Sequence, residues 1–384
     1  MPDKYLHIIA FDIPYPPNYG GVIDVWYKIK SLHSKGVRII LHCYEYPGRG
    51  RSNQLNELCH QVYYYPRLLG WRSALSFKPY IVSSRRSDEL INNLLKDDHP
   101  VLFEGLHSCY YLSDKRLKGR MLVYRESNIE HYYYFSLFKV DKNWKNKLYF
   151  LFASLKLRAY QKILNHASLM LVVSRNDTEY LKKHFPGKEI VYLPSFHANS
   201  KVEILTGSGG YALYNGNIEV PENAYSVSYL VNEVFNGLDI PLVIAGMNPP
   251  GRIRKMAEGN PNIRIIANPD DQKMFDLIRN AHVNVLVTFQ ATGLKLKLLN
   301  TLYNGRFCLV NEKMLNGTGL EELCEIANTS AEQKEKLKKL FIEKFDEKEI
   351  IRRRGILDEY YSNDKNAEKL IELIFEKDLN QRSI

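Results

Sequence analysis

The sequence between residues 283 and 310 most strongly limits the fold of this chain, because a strand pattern and a helix pattern alternate within a short distance. Residues 283–289 form a short β-branched run typical of a strand in the middle of a parallel sheet. Residues 294–303 place their leucines on one face of a helix. Asn304 and Gly305 end that helix, and a second strand begins directly after them. The passage therefore predicts a βαβ unit.

The same alternation occurs along the chain in two successive runs. The first starts with the buried strand pattern of residues 5–11 and covers residues 1–195. Residues 196–210 are polar and end in glycines, which is typical of an interdomain connection. A second run covers residues 211–358, and a last helix within 359–384 is long enough to return across the junction. We expect an α/β protein with two Rossmann-like β/α/β domains.

Composition limits the class of protein. A chain of 384 residues with 45% hydrophobic and 25% charged residues is long enough and apolar enough for two globular domains. The apolar runs are shorter than the roughly 20 residues that span a bilayer, and the N-terminal run is typical of a strand rather than a signal peptide. Five scattered cysteines without CxxC spacing predict neither a disulfide framework nor a zinc site. We expect a cytoplasmic protein.

The net charge of +10 indicates an anionic partner. Nucleic acid is not expected, because the sequence has no zinc-finger spacing, no RNP-like strand and no dense basic arm. Anionic lipid and phosphorylated small molecules remain as candidates.

The first glycine pair, Gly20-Gly21, follows a proline-rich loop and precedes a helix pattern. The prolines stiffen the loop, and the glycines let the backbone approach a ligand at the start of the helix. This loop is not a GxGxxG motif, and a tight turn without a ligand is the alternative.

Polar residues follow two other strands of the first run. His107 comes directly after the strand at 101–104, where it is placed for catalysis or for contact with a ligand hydroxyl, although a simple loop role is the alternative. A strand at 121–124 is followed by polar and aromatic residues that suit a sugar acceptor. The candidate acceptor-binding residues are Arg125, Glu126, Asn128, Glu130 and His131. Alternatively, Asn128 caps a helix whose tyrosines pack inward.

Residues 139–164 have an unusual composition, with six lysines and one arginine against a single acid, Asp141. Aromatic and aliphatic residues are interleaved with these cations, which is typical of an amphipathic helix on an anionic membrane surface. Two alternatives are open: the apolar residues pack against the domain, or the basic face is merely solvated.

The turn after residues 283–289 carries a candidate anion site. Thr292 supplies a hydroxyl, and Gly293 lets the backbone approach a ligand. Ligands of open α/β sheets bind outside the carboxyl ends of the strands, so a phosphate would lie beside Lys295 and Lys297. The alternative is an amphipathic helix with solvated lysines.

Several motifs together resemble the retaining "group 1" type of glycosyltransferase, which has two facing Rossmann-like domains, the GT-B fold. In family order, the motifs of the donor-binding domain are GNIEVPENAYSVSYL, VIAGMNPP, NPDDQKMFDLIRNAHVNVLVTF and ATGLKLKLLNTLYNGRFCLV. The opening FDIPYPPNYGGVIDVWYKIKSL is similar to the acceptor-domain opening of that family. The resemblance covers nearly the full length and implies two domains around a central cleft.

The resemblance also implies roles for individual residues. His107 would lie near the reacting sugar, and Asn215-Gly216-Asn217 would form the glycine loop that opens the donor domain. The implied catalytic residues are His107, Lys295 and Lys297. The implied donor-binding residues are Gly20, Gly21, Asn215, Gly216, Asn217, Thr292, Gly293, Leu294 and Asn300.

This chain departs from the family pattern in two places. The basic residues that commonly follow the glycine loop are absent before Asn223, so Lys295 or Lys297 would carry more of the diphosphate charge. Of the family's two glutamates, the first falls on Thr292 and the second on Asn300. An amide binds ribose hydroxyls more weakly than a carboxylate, by on the order of 1–2 kcal/mol. This is tolerable in an active enzyme but also fits a noncatalytic copy.

We therefore expect transfer of a sugar from a nucleotide diphosphate donor to a glycan or lipid-linked glycan, in polysaccharide or glycoconjugate biosynthesis, with retention implied by the resemblance. No DxD motif is present, so neither an obligatory metal nor another cofactor is expected. The alternatives are a noncatalytic, glycan-binding partner of a transferase and a sugar-nucleotide epimerase. A position at the inner face of the membrane is a further expectation.

Overall fold

The computed structural model describes residues 3–46, 48–70, 73, 76–141, 143–289 and 296–376. These residues form two compact units, each built around a parallel sheet. The first unit contains the described residues up to His197 and those from Tyr361 onward, and the second contains those between Ala198 and Tyr360. The predicted α/β fold with two Rossmann-like domains is confirmed.

The sheet of the first unit has seven strands within the described residues. They are β1 (Tyr5–Ala10), β2 (Arg38–Glu45), β3 (Gln61–Pro66), β4 (Val101–Glu104), β5 (Leu122–Glu126), β6 (Leu169–Val172) and β7 (Glu189–Tyr192). Their order is β3-β2-β1-β4-β5-β6-β7, so the direction of strand addition reverses between β1 and β4. Ligands of open α/β sheets bind at such a reversal point.

Helices cover both faces of this sheet. In the first unit they are Gly20–Ser34, Asn53–Leu58, Tyr80–Ser83, Asp88–Leu94, Glu130–Val140, Trp144–Tyr160, Arg175–His184 and Asn363–Ile371. Short 3₁₀ segments are Leu106–Tyr111, Lys115–Leu117 and Gln161–His166. Helix Gly20–Ser34 buries Val25, Ile29 and Leu32, which recur at helical spacing, in the same core as strand β1.

The sheet of the second unit has six strands in the described part of the chain. They are β8 (Ala212–Asn217), β9 (Leu242–Met247), β10 (Ile263–Ala267), β11 (Val283–Leu286), β12 (Phe307–Val310) and β13 (Glu325–Ile326). Their order is β10-β9-β8-β11-β12-β13, which reverses between β8 and β11. The two sheets therefore share one topology around their reversal points.

The helices of the second unit are Pro221–Tyr229, Gly251–Glu258, Asp271–Asn280, Leu296–Asn304, Glu312–Leu315, Ser330–Leu340 and Glu347–Tyr360. The Asp270 side chain accepts from the Lys273 N–H and so caps its helix. Across the described ranges, every helix is too short or too polar to traverse a bilayer.

Two segments near the unit boundaries are well packed. Ala367, Leu370 and Ile374 belong to the core of the first unit, because the C-terminal helix lies against helix Gly20–Ser34. The sequence suggested residues 196–210 as a connection. Of these, residues 198–210 belong to the second unit, where Ile204 lies in one apolar cluster with Phe345.

Candidate functional site

The reversal point of the first sheet brings together residues from three separate parts of the sequence. Phe11 follows β1, His107 follows β4, and Gly21 lies in the first turn of helix Gly20–Ser34. The Phe11 and His107 rings are 5.4 Å apart between centroids. A Cβ on Gly21 would lie 2.5 Å from the Cζ atom of Phe11, so the ring lies directly against the glycine backbone. The predicted residues Gly21 and His107 therefore flank a single aromatic side chain.

The loop between β1 and this helix is fixed by polar contacts. The Tyr19 hydroxyl donates to Asp12 at 2.6 Å, and Arg49 Nε donates to the Ile13 carbonyl at 2.6 Å. The N-cap residue Tyr19 makes no side-chain capping bond to the helix that starts at Gly20. The first backbone N–H groups of the helix are thus available for an anion or polar ligand.

His107 and Glu130 form the titratable pair of this site. His107 Nδ1 lies 3.7 Å from Glu130 Oε1, beyond hydrogen-bond distance. It has no hydrogen-bond partner among the residues that the structure describes, and 21% of the His107 side chain is exposed. Burial lowers the pKa of His107 well below its usual value, and Arg85 and Arg67 act in the same direction. Burial raises the pKa of Glu130 to about 8. Near neutral pH a neutral imidazole therefore faces a protonated carboxyl group.

Glu126 lies at the end of β5 with both carboxylate oxygens unpaired within the described ranges. Burial, and then the carboxyl groups of Asp177 and Glu130, raise the pKa of Glu126 well above its usual value. Burial also raises the pKa of Asp177 to about 6. Asp177 and Glu130 thus lie close enough to affect Glu126, and a buried, unpaired carboxyl group is typical of a functional site.

Arg85 is a site residue that sequence reasoning missed. It is fully buried, and its Nε donates to the Phe11 carbonyl at 2.9 Å while Nη2 donates to the Tyr46 hydroxyl at 2.8 Å. Its charge affects the pKa of both His107 and Glu130. The local sequence SSRRS gave no indication of this position, because only the tertiary fold places Arg85 under the end of β1.

Arg125 occupies a different environment from the predicted acceptor site. It is the fourth residue of β5 rather than part of a loop, and it is fully buried. Its guanidinium contacts both oxygens of Asp24 and donates to the carbonyl of Leu193 at 2.6 Å. Lys28 joins this cluster through Asp24 at 2.9 Å and Glu104 at 2.6 Å. We therefore assign Arg125 to the internal support of the strand ends rather than to direct ligand contact.

The two acids of this cluster differ in their pKa shifts, because burial raises the pKa of Glu104 in spite of its contact with Lys28. Burial alone would raise the pKa of Asp24, but the charges of Arg125 and Lys28 hold it below the usual range. Asp24 and Lys28 are spaced i, i+4 on the apolar face of helix Gly20–Ser34, which was the only sequence feature that could have revealed the cluster.

The other predicted acceptor residues lie at the start of helix Glu130–Val140. Its N-cap is Ile129, so the alternative that Asn128 caps the helix is wrong. Asn128 is half-buried, and the His131 ring lies beside Tyr180, whose hydroxyl is 3.4 Å from Nε2. Glu130 and His131 are the two buried side chains of this helix.

The reversal point of the second sheet is lined by amides and backbone. Asn215, Gly216 and Asn217 are the last residues of β8 rather than a loop after it. A Cβ on Gly246 would collide with the Gly216 carbonyl oxygen, so close pairing of β8 and β9 requires glycine there. The buried Asn215 Nδ2 has no hydrogen-bond partner in the described part of the chain. This orphaned donor points to a ligand at the strand end.

Lys297 lies at the same place. Its Nζ is 3.4 Å from Asn223 Oδ1 and 5.0 Å from the centre of the Tyr214 ring. The Asn223 side chain also lies against Gly216, since a Cβ on Gly216 would be 3.5 Å from its Cγ. Lys297 thus places its ammonium group beside the predicted glycine segment. Thr288, which follows β11, donates its hydroxyl to Glu222 in the first turn of helix Pro221–Tyr229, the helix that follows β8.

The remaining predicted donor residues divide into two groups. Asn300 accepts a 2.9 Å hydrogen bond from Asn199 Nδ2, and Asn304 donates to Asn199 Oδ1 at 2.8 Å. The side-chain oxygen of Asn300 therefore already accepts a hydrogen bond within the unit. Thr292, Gly293, Leu294 and Lys295 lie outside the described residues.

Known proteins show the same architecture. No family model matches the sequence. A Klebsiella pneumoniae protein named "Uncharacterized 44.6 kDa protein in cps region" is 26% identical over 336 residues, covering 81% of this chain and 84% of that protein. Anabaena HepE, solved in complex with UDP and glucose, gives a TM-score of 0.65 at 10% identity over 97% of this chain and 99% of that chain.

The pneumococcal O-GlcNAc transferase GtfA, solved in complex with UDP and GlcNAc, also gives a TM-score of 0.65, at 9% identity over 99% of this chain and 100% of that chain. These matches, with the two parallel sheets, establish the GT-B fold that the sequence motifs predicted.

Proposed function

We propose that this protein is a glycosyltransferase that moves a sugar from a nucleotide diphosphate donor to a hydroxyl of a glycan or lipid-linked glycan, with retention of configuration. The observation that carries the proposal is the position of Lys297, beside Asn223 and Gly216 at the reversal point of the second sheet. A cation and an unpaired amide donor there suit a diphosphate.

The chemistry assigned to the second unit is charge stabilisation. Negative charge develops on the leaving diphosphate while the anomeric carbon becomes cation-like, so a fixed ammonium group lowers the barrier. Lys297 supplies that charge, and the Asn215 amide supplies a neutral donor. UDP is the first nucleotide to test, because the similar structures of HepE and GtfA contain it.

The chemistry assigned to the first unit is contact with the reacting sugar and proton handling. His107 is neutral and partly exposed, and it has an acceptor nitrogen or an N–H donor for a sugar hydroxyl. Glu130 holds a proton at neutral pH close to that ring. His107 is the catalytic candidate, and Glu130 and Arg85 are positioning residues.

A panel of nucleotide sugars tests this proposal. The purified protein should bind at least one of them in a thermal-shift assay and release the nucleotide slowly by hydrolysis. We expect His107→Ala to retain donor binding but lose about 10²-fold or more in turnover. The absence of both binding and hydrolysis across the panel would refute the proposal.

A second candidate function is a noncatalytic partner that binds a glycan or a nucleotide sugar. It is favoured by Asn300, which replaces the family glutamate and is engaged by Asn199. The same panel distinguishes the two functions, because a noncatalytic partner would bind a nucleotide sugar without turnover. In cells, His107→Ala would leave the amount of glycan unchanged if the protein were a noncatalytic partner.

A further inference from the structure

Two consecutive helices of the first unit, Glu130–Val140 and Trp144–Tyr160, pack against each other and bury few of their side chains. The buried residues are Glu130 and His131 in the first helix and Ser154 and Leu157 in the second. The apolar residues that the sequence places here therefore contribute little to the core. We call this pair of helices the hairpin.

The second helix of the hairpin carries an apolar stripe on its exposed side. Trp144, Leu148, Phe152 and Leu155 are spaced i, i+4, i+8 and i+11, which places them within about 80° of one another around the helix axis. Each is about half or more exposed, with values of 66% for Trp144 and 62% for Phe152. The exposed Val140 lies just before this helix. Large apolar side chains in a continuous exposed stripe indicate a binding surface.

Cations border the stripe on both sides. With 3.6 residues per helical turn, Lys145 and Lys156 lie on one side of the stripe, and Lys147 and Arg158 lie on the other side. Asp141 is the single acid of the segment 139–164. The alternative that the apolar residues pack against the domain is wrong for this stripe, because its four side chains are exposed. The cations lie on both sides of the stripe.

A neighbouring loop adds to the apolar surface. Lys156 Nζ donates to the Ser76 carbonyl at 3.0 Å, which holds this loop beside the second helix. The next residue, Phe77, has a relative exposure of 103%. A fully exposed phenylalanine beside the stripe extends the surface beyond a single helix.

We propose that the hairpin docks on the surface of an anionic lipid bilayer, with the stripe in the acyl–headgroup boundary and the flanking cations against lipid phosphates. The charge and the residue types of this surface favour a bilayer over a second copy of this chain or a nucleic acid. A second copy of this chain would bring two basic surfaces together, and the cores of protein interfaces are depleted in lysine. Aliphatic residues such as Leu148 and Leu155 suit acyl chains better than nucleic acid bases.

Membrane docking does not depend on the proposed glycosyl transfer, but it has a consequence for it. The hairpin begins with Glu130, whose Oε1 lies 3.7 Å from His107 Nδ1. A docked hairpin would therefore favour a lipid-linked acceptor over a free glycan, and this step rests on the proposed function.

Vesicle binding by the full-length protein tests the docking without any substrate. We expect binding to vesicles of equal parts phosphatidylcholine and phosphatidylglycerol, weak binding to phosphatidylcholine alone, and a decline as salt is raised. Trp144 emission should shift to the blue on binding, and Trp144→Phe should remove that shift.

Matched variants test whether vesicle binding depends on the stripe and its cations or on exposed apolar groups and positive charge anywhere on the protein. Trp144→Ser/Phe152→Ser and Lys145→Glu/Lys147→Glu should each lower the vesicle partition coefficient about tenfold or more. The controls Ile342→Ser/Ile351→Ser and Lys313→Glu/Lys338→Glu remove comparably exposed apolar groups and cations from the second unit. They should bind like the unmodified protein, and all variants should keep its melting temperature.

Three results would overturn the docking proposal. They are equal binding to both vesicle types, undiminished binding by both hairpin variants, and self-association through the stripe in sedimentation experiments without vesicles. Loss of nucleotide-sugar turnover would leave the vesicle results untouched, so failure of docking and failure of the proposed function are distinguishable.

Discussion

The first sheet reverses its strand order between β1 and β4, and the second reverses between β8 and β11, yet the two places contain different chemistry. At the first, buried titratable side chains surround His107. At the second, amide groups and Lys297 lie beside the end of β8. The same topology thus carries titratable side chains in one unit and amides with a lysine in the other, because side chains at strand ends vary without changing the sheet. Under the proposed function, the first set handles protons and the second binds the diphosphate.

The largest effect that would break this comparison is expected at Lys297. Lys297→Ala removes the fixed charge proposed to stabilise the leaving diphosphate, so turnover should fall by about 10²–10³-fold. Steady-state kinetics with the active nucleotide sugar, and calorimetric titration with the nucleotide diphosphate, measure this loss. Lys313→Ala, an exposed lysine of the same unit, is the matched control. Unchanged kinetics in Lys297→Ala would remove the anion-binding role of the second unit.

A second contrast concerns the glycines beside each reversal point. Gly246→Ala places a Cβ against the Gly216 carbonyl, and backbone there cannot move without separating β8 from β9. We expect a loss of about 3 kcal/mol in unfolding free energy. Gly21→Ala meets only the end of the Phe11 ring, which can shift, so its loss should be smaller.

Chemical denaturation of both glycine variants measures these losses. An equal or larger loss in Gly21→Ala would show that the ring between Gly21 and His107 is held as rigidly as a strand. His107 would then be fixed in place by its neighbours.

The pH dependence of stability tests the protonated carboxyl group of the first unit. Folded protein keeps the Glu130 proton up to about pH 8, whereas the unfolded chain releases it near its ordinary, lower pKa. The folded state therefore binds more protons in this window, and stability falls as pH rises through it. In Glu130→Gln this contribution should vanish, so melting temperature should decline less between mildly acidic pH and pH 8.

Glu335→Gln, at an exposed position, should keep the pH profile of the unmodified protein. Other groups determine how stability changes with pH on the acidic side of the profile. The lowered pKa of His107 makes stability fall as pH drops below the ordinary histidine value, and Glu130→Gln should leave that limb in place. Identical profiles for Glu130→Gln and the unmodified protein would contradict a protonated Glu130.

The smallest expected effect is a gain at Asn300. Asn300→Glu restores the carboxylate of the family pattern and should tighten nucleotide-sugar binding by on the order of 1–2 kcal/mol, or about tenfold. Asn199 can donate to the new carboxylate as it does to the amide. Weaker binding of the nucleotide sugar by this variant would place Asn300 away from the ribose.

Much of the fold was predictable because its determinants are local. Strands β4 and β12 lie where their apolar runs predicted. Ser87 caps helix Asp88–Leu94, and Asp270 caps helix Asp271–Asn280. The end of β5 was not predictable in this way. Arg125 and Glu126 have the polarity of a loop, but both belong to the strand. Arg125 is buried there because a distant helix supplies Asp24 as its partner, whereas Glu126 is buried without a partner in the described residues.

The sequence by itself determined two successive β/α alternations, their parallel sheets and the chemical types of residue at the strand ends. Only the tertiary structure decided which of those residues meet: Phe11 between Gly21 and His107, Arg85 beneath β1, and Lys297 beside Gly216. It also decided that Trp144 and Phe152 face outward. The reason is that periodicity reports the local burial preference of a segment, whereas pairing of polar groups and exposure of apolar ones depend on contacts between segments far apart in the chain.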